Sequence, residues 1–583
     1  MKKYLLIALS LVVISGLLLG LAGCGEPEET TTATSAPPTT TTGAPPTTTT
    51  GAPPTTTTTA PPTSATTAPP TDARLPNLGD LAKPEGGTEG GRLQLSTMAN
   101  IADIGYPAGS AGPADAAITW LAVEPLLRID KNNALQPWLA ESFEIAPDNS
   151  SITLYLRQGI SYTDGTPFDA AAAEYNITRE INSLMWPNLK GFSQCVIVDD
   201  YTIRCDFVNG QWDWIAVKSL AGWWSALMFC PTTIENNPPE YCMTNVVGTG
   251  PFVQTGYEPN LSINFDRNEN YWRGKPYLDG IDISVITDTN VALMAFKSGE
   301  IHTVAVQPQD AQGVIDEGFE IRESTDMVFN WCLLPSSGNP DSLLSDINLR
   351  RAVESAIDKQ TLVDAFTYGY GVPTNQEFCL EPFINPDTVG YPFDLDAARD
   401  YLAAGGQPNG FTTTIYIVQG SNADVPMAIQ GMLTEVNITL NIETIGYLQL
   451  VEMIGGGGTG WDGYIYSYGF PGTTVDPAST LKNGPLNAVP DAENPGEWIV
   501  TTWISCEQPK ELCDLALLGA QTIDNDARIP IYQEISKKMT DDYCQWTYLY
   551  YTPSLTSISP LVKGHTVGMY TEFYAYTFAW LEE

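Results

Sequence analysis

Three observations in the sequence predict a mixed α/β fold. Asn437-Ile438-Thr439-Leu440-Asn441-Ile442-Glu443 alternates apolar and polar residues with period two, the pattern of a strand with one buried face. Pro426 to Glu435 reads as a helix and Phe411 to Val418 as a further β-rich run, so the order is strand, helix, strand. Capped amphipathic helices recur elsewhere. Asp288-Thr289-Asn290 caps Val291 to Ser298, which stops at Gly299. Asp346 precedes Ile347 and the apolar set Leu349, Val353, Ala356, Ile357 and Leu362, and Asp394 opens Leu395 to Leu402, closed by Gly405-Gly406.

At 583 residues the chain is long enough for three or four domains with sizeable cores. Its 68 acidic and 27 basic side chains leave a formal net charge of −41, a field that repels phosphate backbones, so no nucleic-acid partner is expected. Only 16% of residues are charged, so the acidity reflects scarce Lys and Arg more than surplus carboxylates. The 43% hydrophobic content excludes disorder throughout.

From the amino end, Met1-Lys2-Lys3 and the apolar run Tyr4 to Leu21 have the layout of a secretory signal, with a membrane-spanning anchor as the alternative. Leu21-Ala22-Gly23-Cys24 resembles the lipobox of bacterial lipoproteins, which implies cleavage after residue 23 and lipidation of Cys24. Residues 24–74 then form a Thr/Pro-rich stalk with too little to bury to offset its chain entropy. Extended at about 3.1 Å per residue, its forty-odd Thr/Pro/Ala/Gly residues reach on the order of 130 Å. Its threonines are compatible with O-glycosylation.

Of the ten cysteines, nine follow Cys24, and local spacing pairs six of them. Cys195 and Cys205 flank an Asp199-Asp200 turn between two short strands; Cys230 with Cys242 and Cys506 with Cys513 would close short loops. Cys332, Cys379 and Cys544 leave one over.

Catalytic signatures are missing. His302 and His565 stand in no metal-ligand spacing, so no metal site is expected, and there is no Gly-x-Ser-x-Gly elbow and no phosphate loop. Gly455 to Gly460 satisfies Gly-x-Gly-x-x-Gly, yet it follows a helix and precedes a strand, the reverse of the order that aims helix amides at a pyrophosphate. With no activated nucleophile, metal cluster or cofactor motif, the chain is expected to bind and not to catalyse, without a cofactor.

Several stretches resemble the extracytoplasmic solute-binding proteins of ABC importers, in the family of the oligopeptide- and dipeptide-binding proteins (bacterial solute-binding protein family 5). They are Gly248-Thr249-Gly250-Pro251-Phe252, Phe265 to Trp272, Gly274-Lys275-Pro276-Tyr277-Leu278-Asp279 and Ser298-Gly299-Glu300-Ile301. Supporting matches are Leu139 to Phe143, Leu156 to Gly159, Asp164 to Phe168, Leu349 to Ala352, Ala356 to Lys359, Asp476-Pro477 and Tyr550 to Ser554. The resemblance implies a two-lobed periplasmic-binding-protein clamp with an extra inserted domain, three domains in all, of the type II or cluster C kind. It divides the body into lobe I segments at 75–135, 244–328 and 546–583, an inserted small domain and return at 136–243, and lobe III at 329–545.

The same resemblance implies a pocket wall at Tyr106, Trp186, Trp223, Trp224, Trp331, Tyr447, Tyr466, Tyr468, Phe470, Thr473 and Asp476, with a hinge at Val328 to Leu333. Peptide-binding relatives anchor the ligand's amino group on an Asp where this chain has Thr473, and arginines that meet a carboxylate are absent near Met453 and Tyr464. A base-poor aromatic wall suits a neutral or cationic organic solute. The expected protein is therefore monomeric, lipid-anchored on the outer face of the cell membrane, in the periplasm or at the cell surface. It takes a small-molecule or peptide solute and hands it to ABC permease subunits. The alternatives are a surface structural or adhesive protein and a glycan hydrolase.

Overall fold

The computed structural model describes residues 83–98, 104, 118–129, 134–182, 188–222, 226–379, 381–419, 421–455, 458–469, 477–490, 498–500, 503–566 and 575–582. The chain divides into two units, Met1–Arg74 and Leu75–Glu583, and all of these residues belong to the second. Cys24, the stalk, Tyr106, Trp186, Trp223, Trp224, Phe470, Thr473 and Asp476 lie outside the described residues.

Three sheets carry the body. In the first, Arg92–Thr97 runs parallel to Gly280–Val285, which is followed by the antiparallel strands Ser262–Arg267 and Phe252–Glu258. The second is antiparallel, in the order Ala140–Ile145, Ser151–Leu156, Thr202–Phe207 and Phe192–Asp199. One continuous core joins these two sheets. The third has seven strands: Thr303–Ala305, Thr547–Ile558, Ile321–Pro335, Tyr464–Gly469, Thr412–Val418 and Thr439–Ile445 in order, with Val372–Pro373 beside Thr547–Ile558. The expected strand–helix–strand unit is present: Thr412–Val418 pairs in parallel with Thr439–Ile445, joined through helix Asp424–Thr434.

The capping carboxylates act as the sequence predicts. Asp288 accepts from the amides of Asn290 and Val291, Asp346 from Asn348, and Asp394 from Asp396 and Ala397. Gly299 ends its helix at φ 82°, a left-handed conformation in which a side chain would be strained. His302 is structural: its Nδ1 accepts from the Gln94 amide at 2.8 Å.

The Gly248-to-Trp272 signature owes its residues to packing. A Cβ on Gly248 would stand 2.1 Å from the Ala122 carbonyl oxygen, and one on Gly250 would stand 2.6 Å from the Ala122 carbonyl carbon. Glu124 is wholly buried beside them. Its Oε1 accepts from Trp138 Nε1 (2.9 Å) and Tyr271 OH (2.7 Å), its Oε2 from Thr249 Oγ1 (2.8 Å) and Trp272 Nε1 (2.9 Å). One carboxylate thus ties three separated stretches of chain together. Burial pushes its pKa up, against those donors and the nearby Arg273.

The nine described cysteines are buried and carry free thiols, and the pairings of Cys230 with Cys242 and of Cys506 with Cys513 expected from spacing are not formed. Cys230 precedes helix Pro231–Asn236 and its thiol bonds Asp164 Oδ2, whereas Cys242 lies in helix Pro239–Thr244 and bonds the Thr233 carbonyl. Cys506 bonds the Pro335 carbonyl while Cys513 sits in helix Lys510–Gln521. Spacing brings cysteines near in sequence, but here helices turn their side chains to different partners. Cys195 and Cys205 alone face each other as expected, in register across their hairpin.

Candidate functional site

The seven-stranded sheet presents two faces. Alternation sends Trp331, Leu333, Tyr464 and Tyr466 to one face, against Leu349, Ala352 and Val353 of helix Ile347–Ser355 and Leu362 of helix Lys359–Phe366. The Trp331 and Tyr466 rings stack at 5.3 Å and 21°, with Tyr550 6.5 Å from Trp331, and burial drives the Tyr466 hydroxyl pKa well upward. Trp331 Nε1 donates to Thr552 Oγ1 at 3.4 Å. Tyr468 follows on the same strand, its backbone in register with Trp331. Tyr447 stands apart from this stack, first residue of helix Tyr447–Ile454 and 68% exposed.

The opposite face carries Cys332, Leu334, Ile465 and Tyr548, and above its outer strands lies an open groove of about 430 Å³. Tyr416, Glu443, Gln449, Met453, Thr459 and Asp462 line it. Tyr416 and Glu443 are register partners on adjacent parallel strands, so their side chains leave the sheet on the same side. Burial, then the charges of Glu443 and Asp462, raise the Tyr416 pKa. Asp462 is held by hydroxyl donors, Ser342 Oγ at 2.5 Å and Ser336 Oγ at 3.5 Å. Glu443 is exposed and has no ion-pair partner among the described residues. Among the described residues no Lys, Arg or His lines the groove, and those that do offer acceptors and aromatic surface to a donor or a cation.

Helix Trp214–Ser219 joins the two halves of the body. Trp214, Ala216 and Val217 belong to the core of the first two sheets, while Ile215 enters the core on the groove side of the seven-stranded sheet. Trp214 Nε1 donates to the Thr522 carbonyl at 2.6 Å, and Gln521 donates to Gln211 at 3.2 Å. The Arg528 guanidinium lies 4.9 Å from the Trp214 ring centre and bonds the Gly519 carbonyl and the Tyr532 hydroxyl. The long strands Ile321–Pro335 and Thr547–Ile558 run on into the seven-stranded sheet from its Thr303–Ala305 edge. Their pairing slips register between Glu323 and Val328 and again between Trp331 and Cys332, the second slip within the Val328 to Leu333 segment expected to bend.

Sequence reasoning missed Tyr416, Glu443, Gln449 and Asp462. Glu443 was visible as the last polar position of an alternating strand, but nothing in the sequence says which strand lies beside it.

A body whose halves are built from interleaved segments, crossed by two long strands and meeting again through one helix, has the architecture of a periplasmic-binding-protein clamp with an extra domain. The chain belongs to the bacterial extracellular solute-binding proteins, family 5, whose middle region matches residues 134–483. It is 26% identical over 313 residues to heme-binding protein A of Haemophilus influenzae, covering 48% of this chain and 56% of that protein. It is 25% identical over 305 residues to the glutathione-binding protein GsiB of Salmonella paratyphi A, covering 50% and 57%. The chain thus spans about half the length of the curated relatives it matches. Similar solved folds include the periplasmic binding protein DppA from Helicobacter pylori in complex with the peptide STSA, with TM-score 0.70 and 19% identity over 85% of this chain and 99% of that one. The oligopeptide-binding protein AppA from Bacillus subtilis, in complex with a nonapeptide, has TM-score 0.68 and 18% identity over 85% and 100%. Among the described residues no helix is long and apolar enough to cross a membrane, and no group of three or more His, Cys, Asp or Glu side chains could hold a metal ion.

Proposed function

We propose that this chain is the substrate-binding component of an ABC importer, tethered outside the cell membrane through lipidated Cys24 and the 24–74 stalk. It captures a peptide or other small organic solute between its lobes and presents the closed form to a permease. The observation that carries this reading is the helix Trp214–Ser219, which reaches from one core into the other on the face that holds the groove. Closure over a solute there needs only bending of the two long strands where their register slips.

On this reading Tyr416, Glu443 and Gln449 supply polar contacts from lobe III, with Tyr447 at the rim. The other sequence-derived positions, Tyr106, Trp186, Trp223, Trp224, Tyr468, Phe470, Thr473 and Asp476, complete the wall, while Trp331 and Tyr466 support it from beneath the sheet. The lobe boundaries follow the segments at 75–135, 136–243, 244–328, 329–545 and 546–583.

The test is native mass spectrometry of the gently purified chain, followed by small-angle scattering with and without any solute that it retains. A retained organic molecule and a smaller radius of gyration on rebinding support the clamp. A bound solute that leaves the scattering unchanged overturns it.

A further inference from the structure

We propose that Cys195 and Cys205 form a disulfide in the mature protein. The two residues are register partners on Phe192–Asp199 and Thr202–Phe207, and their sulfurs are 3.2 Å apart. Both side chains are buried, Cys195 at 7% exposure and Cys205 at 0%, so neither thiol can turn to solvent. Five of the seven other described thiols are committed elsewhere: Cys230 to Asp164, Cys242 to the Thr233 carbonyl, Cys332 to the Ser467 carbonyl, Cys506 to the Pro335 carbonyl and Cys544 to Glu354. The bond has a structural task. Phe192–Asp199 is the edge strand of its sheet and leaves Ile197 and Val198 half exposed, at 50% and 57%. An edge strand that carries exposed apolar side chains is a template for pairing with another chain, and a covalent tie to its neighbour keeps it in place.

The proposal rests on the reading that the chain is exported, because compartments outside the cytoplasm sustain disulfides. The oxidant is a small or protein disulfide. One thiolate attacks it and releases the first thiol, giving a mixed disulfide; the second thiolate then displaces the other thiol, so the Cys195–Cys205 bond forms as the oxidant's S–S bond breaks. The two electrons and two protons leave on the two released thiols.

The sequence makes the bond easy to read. Trypsin cuts after Lys190, Arg204 and Lys218, which places Cys195 in the peptide Gly191–Arg204 and Cys205 in Cys205–Lys218. The full chain is refolded with 2-hydroxyethyl disulfide, blocked with iodoacetamide in denaturant and digested without reduction. The expected product is the two peptides linked, separating on reduction. Finding both as separate alkylated peptides, or either joined to another cysteine, overturns the pairing. A second readout does not depend on refolding yield: reductant should lower the Tm of the oxidised protein by several degrees and leave that of Cys195→Ser unmoved. A Tm that does not respond to reductant in the parent also overturns it. Linkage on refolding, combined with free thiols in protein freshly isolated from its host, shows that the two cysteines can pair but overturns the bond in the mature protein and counts against export.

Discussion

Replacing Glu124 by Gln tests whether one buried carboxylate holds the body together. Two of its four donors are hydroxyls, Thr249 and Tyr271, which can rotate to accept. The other two are the indole N–H groups of Trp138 and Trp272, one on each carboxylate oxygen, and an indole nitrogen only donates. Whichever way the amide of Gln turns, its NH2 faces one of these N–H groups. A hydrogen bond to a charged acceptor is worth about 1.5–3 kcal/mol, and a buried donor left unpaired costs about 1–3 kcal/mol more. Glu124→Gln should therefore destabilise the body by about 3–5 kcal/mol. With a urea slope of about 3 kcal/mol per molar, the unfolding midpoint should fall by roughly 1–1.7 M. Thr249→Ala removes a single donor and should cost about a third as much. Equilibrium urea unfolding followed by Trp fluorescence reads all three proteins. If Glu124→Gln unfolds within about 0.2 M of the parent, the carboxyl already carries a proton, burial has won over its four donors, and the reasoning fails.

Three further predictions concern other parts of the body. Gly250→Ala should cost about 1–3 kcal/mol or abolish folding, because the new methyl meets the Ala122 backbone, which the Gly250 amide already holds at 2.9 Å; folded yield and thermal midpoint read it. Glu377 is 2% exposed and burial raises its pKa to about 7 from 4.5, against Tyr548 beside it, with the Cys332 and Cys379 thiols near. Between those two pH values the folded chain keeps a proton that the unfolded chain has released, so stability should fall as pH rises from 4.5 to 7, by about 3 kcal/mol, and level off above. Glu377→Gln should reduce that slope, leaving the part carried by Glu180, whose burial likewise raises its pKa to about 7, and an unchanged slope in urea titrations across this range would contradict the assignment. Trp214→Ala removes both the bond to Thr522 and the ring beneath Arg528, so the solute-free protein should show a larger radius of gyration by small-angle scattering; an unchanged radius would mean that this contact does not hold the halves together.

What was legible in the sequence was local. The strand at 439–445, the helix at 424–434 and the caps at Asp288, Asp346 and Asp394 depend on periodicity and on side chains bonding amides two or three residues away. The Gly248-Thr249-Gly250-Pro251 signature could likewise be recognised from its own residues. Its partner could not: Glu124 meets Thr249 and Trp272 across 125 and 148 residues. The site was decided at the same distance. Trp331 and Tyr466 look like ligand-binding aromatics in the sequence, and only strand pairing settles that they stack toward helices Ile347–Ser355 and Lys359–Phe366. The groove arises because a parallel register sets Tyr416 beside Glu443, and helix Trp214–Ser219 reaches its side of the sheet through a contact that spans 308 residues. Local propensity follows from each residue's own backbone and near neighbours, whereas the face a side chain occupies, and what lies opposite it, exist only once distant segments have paired.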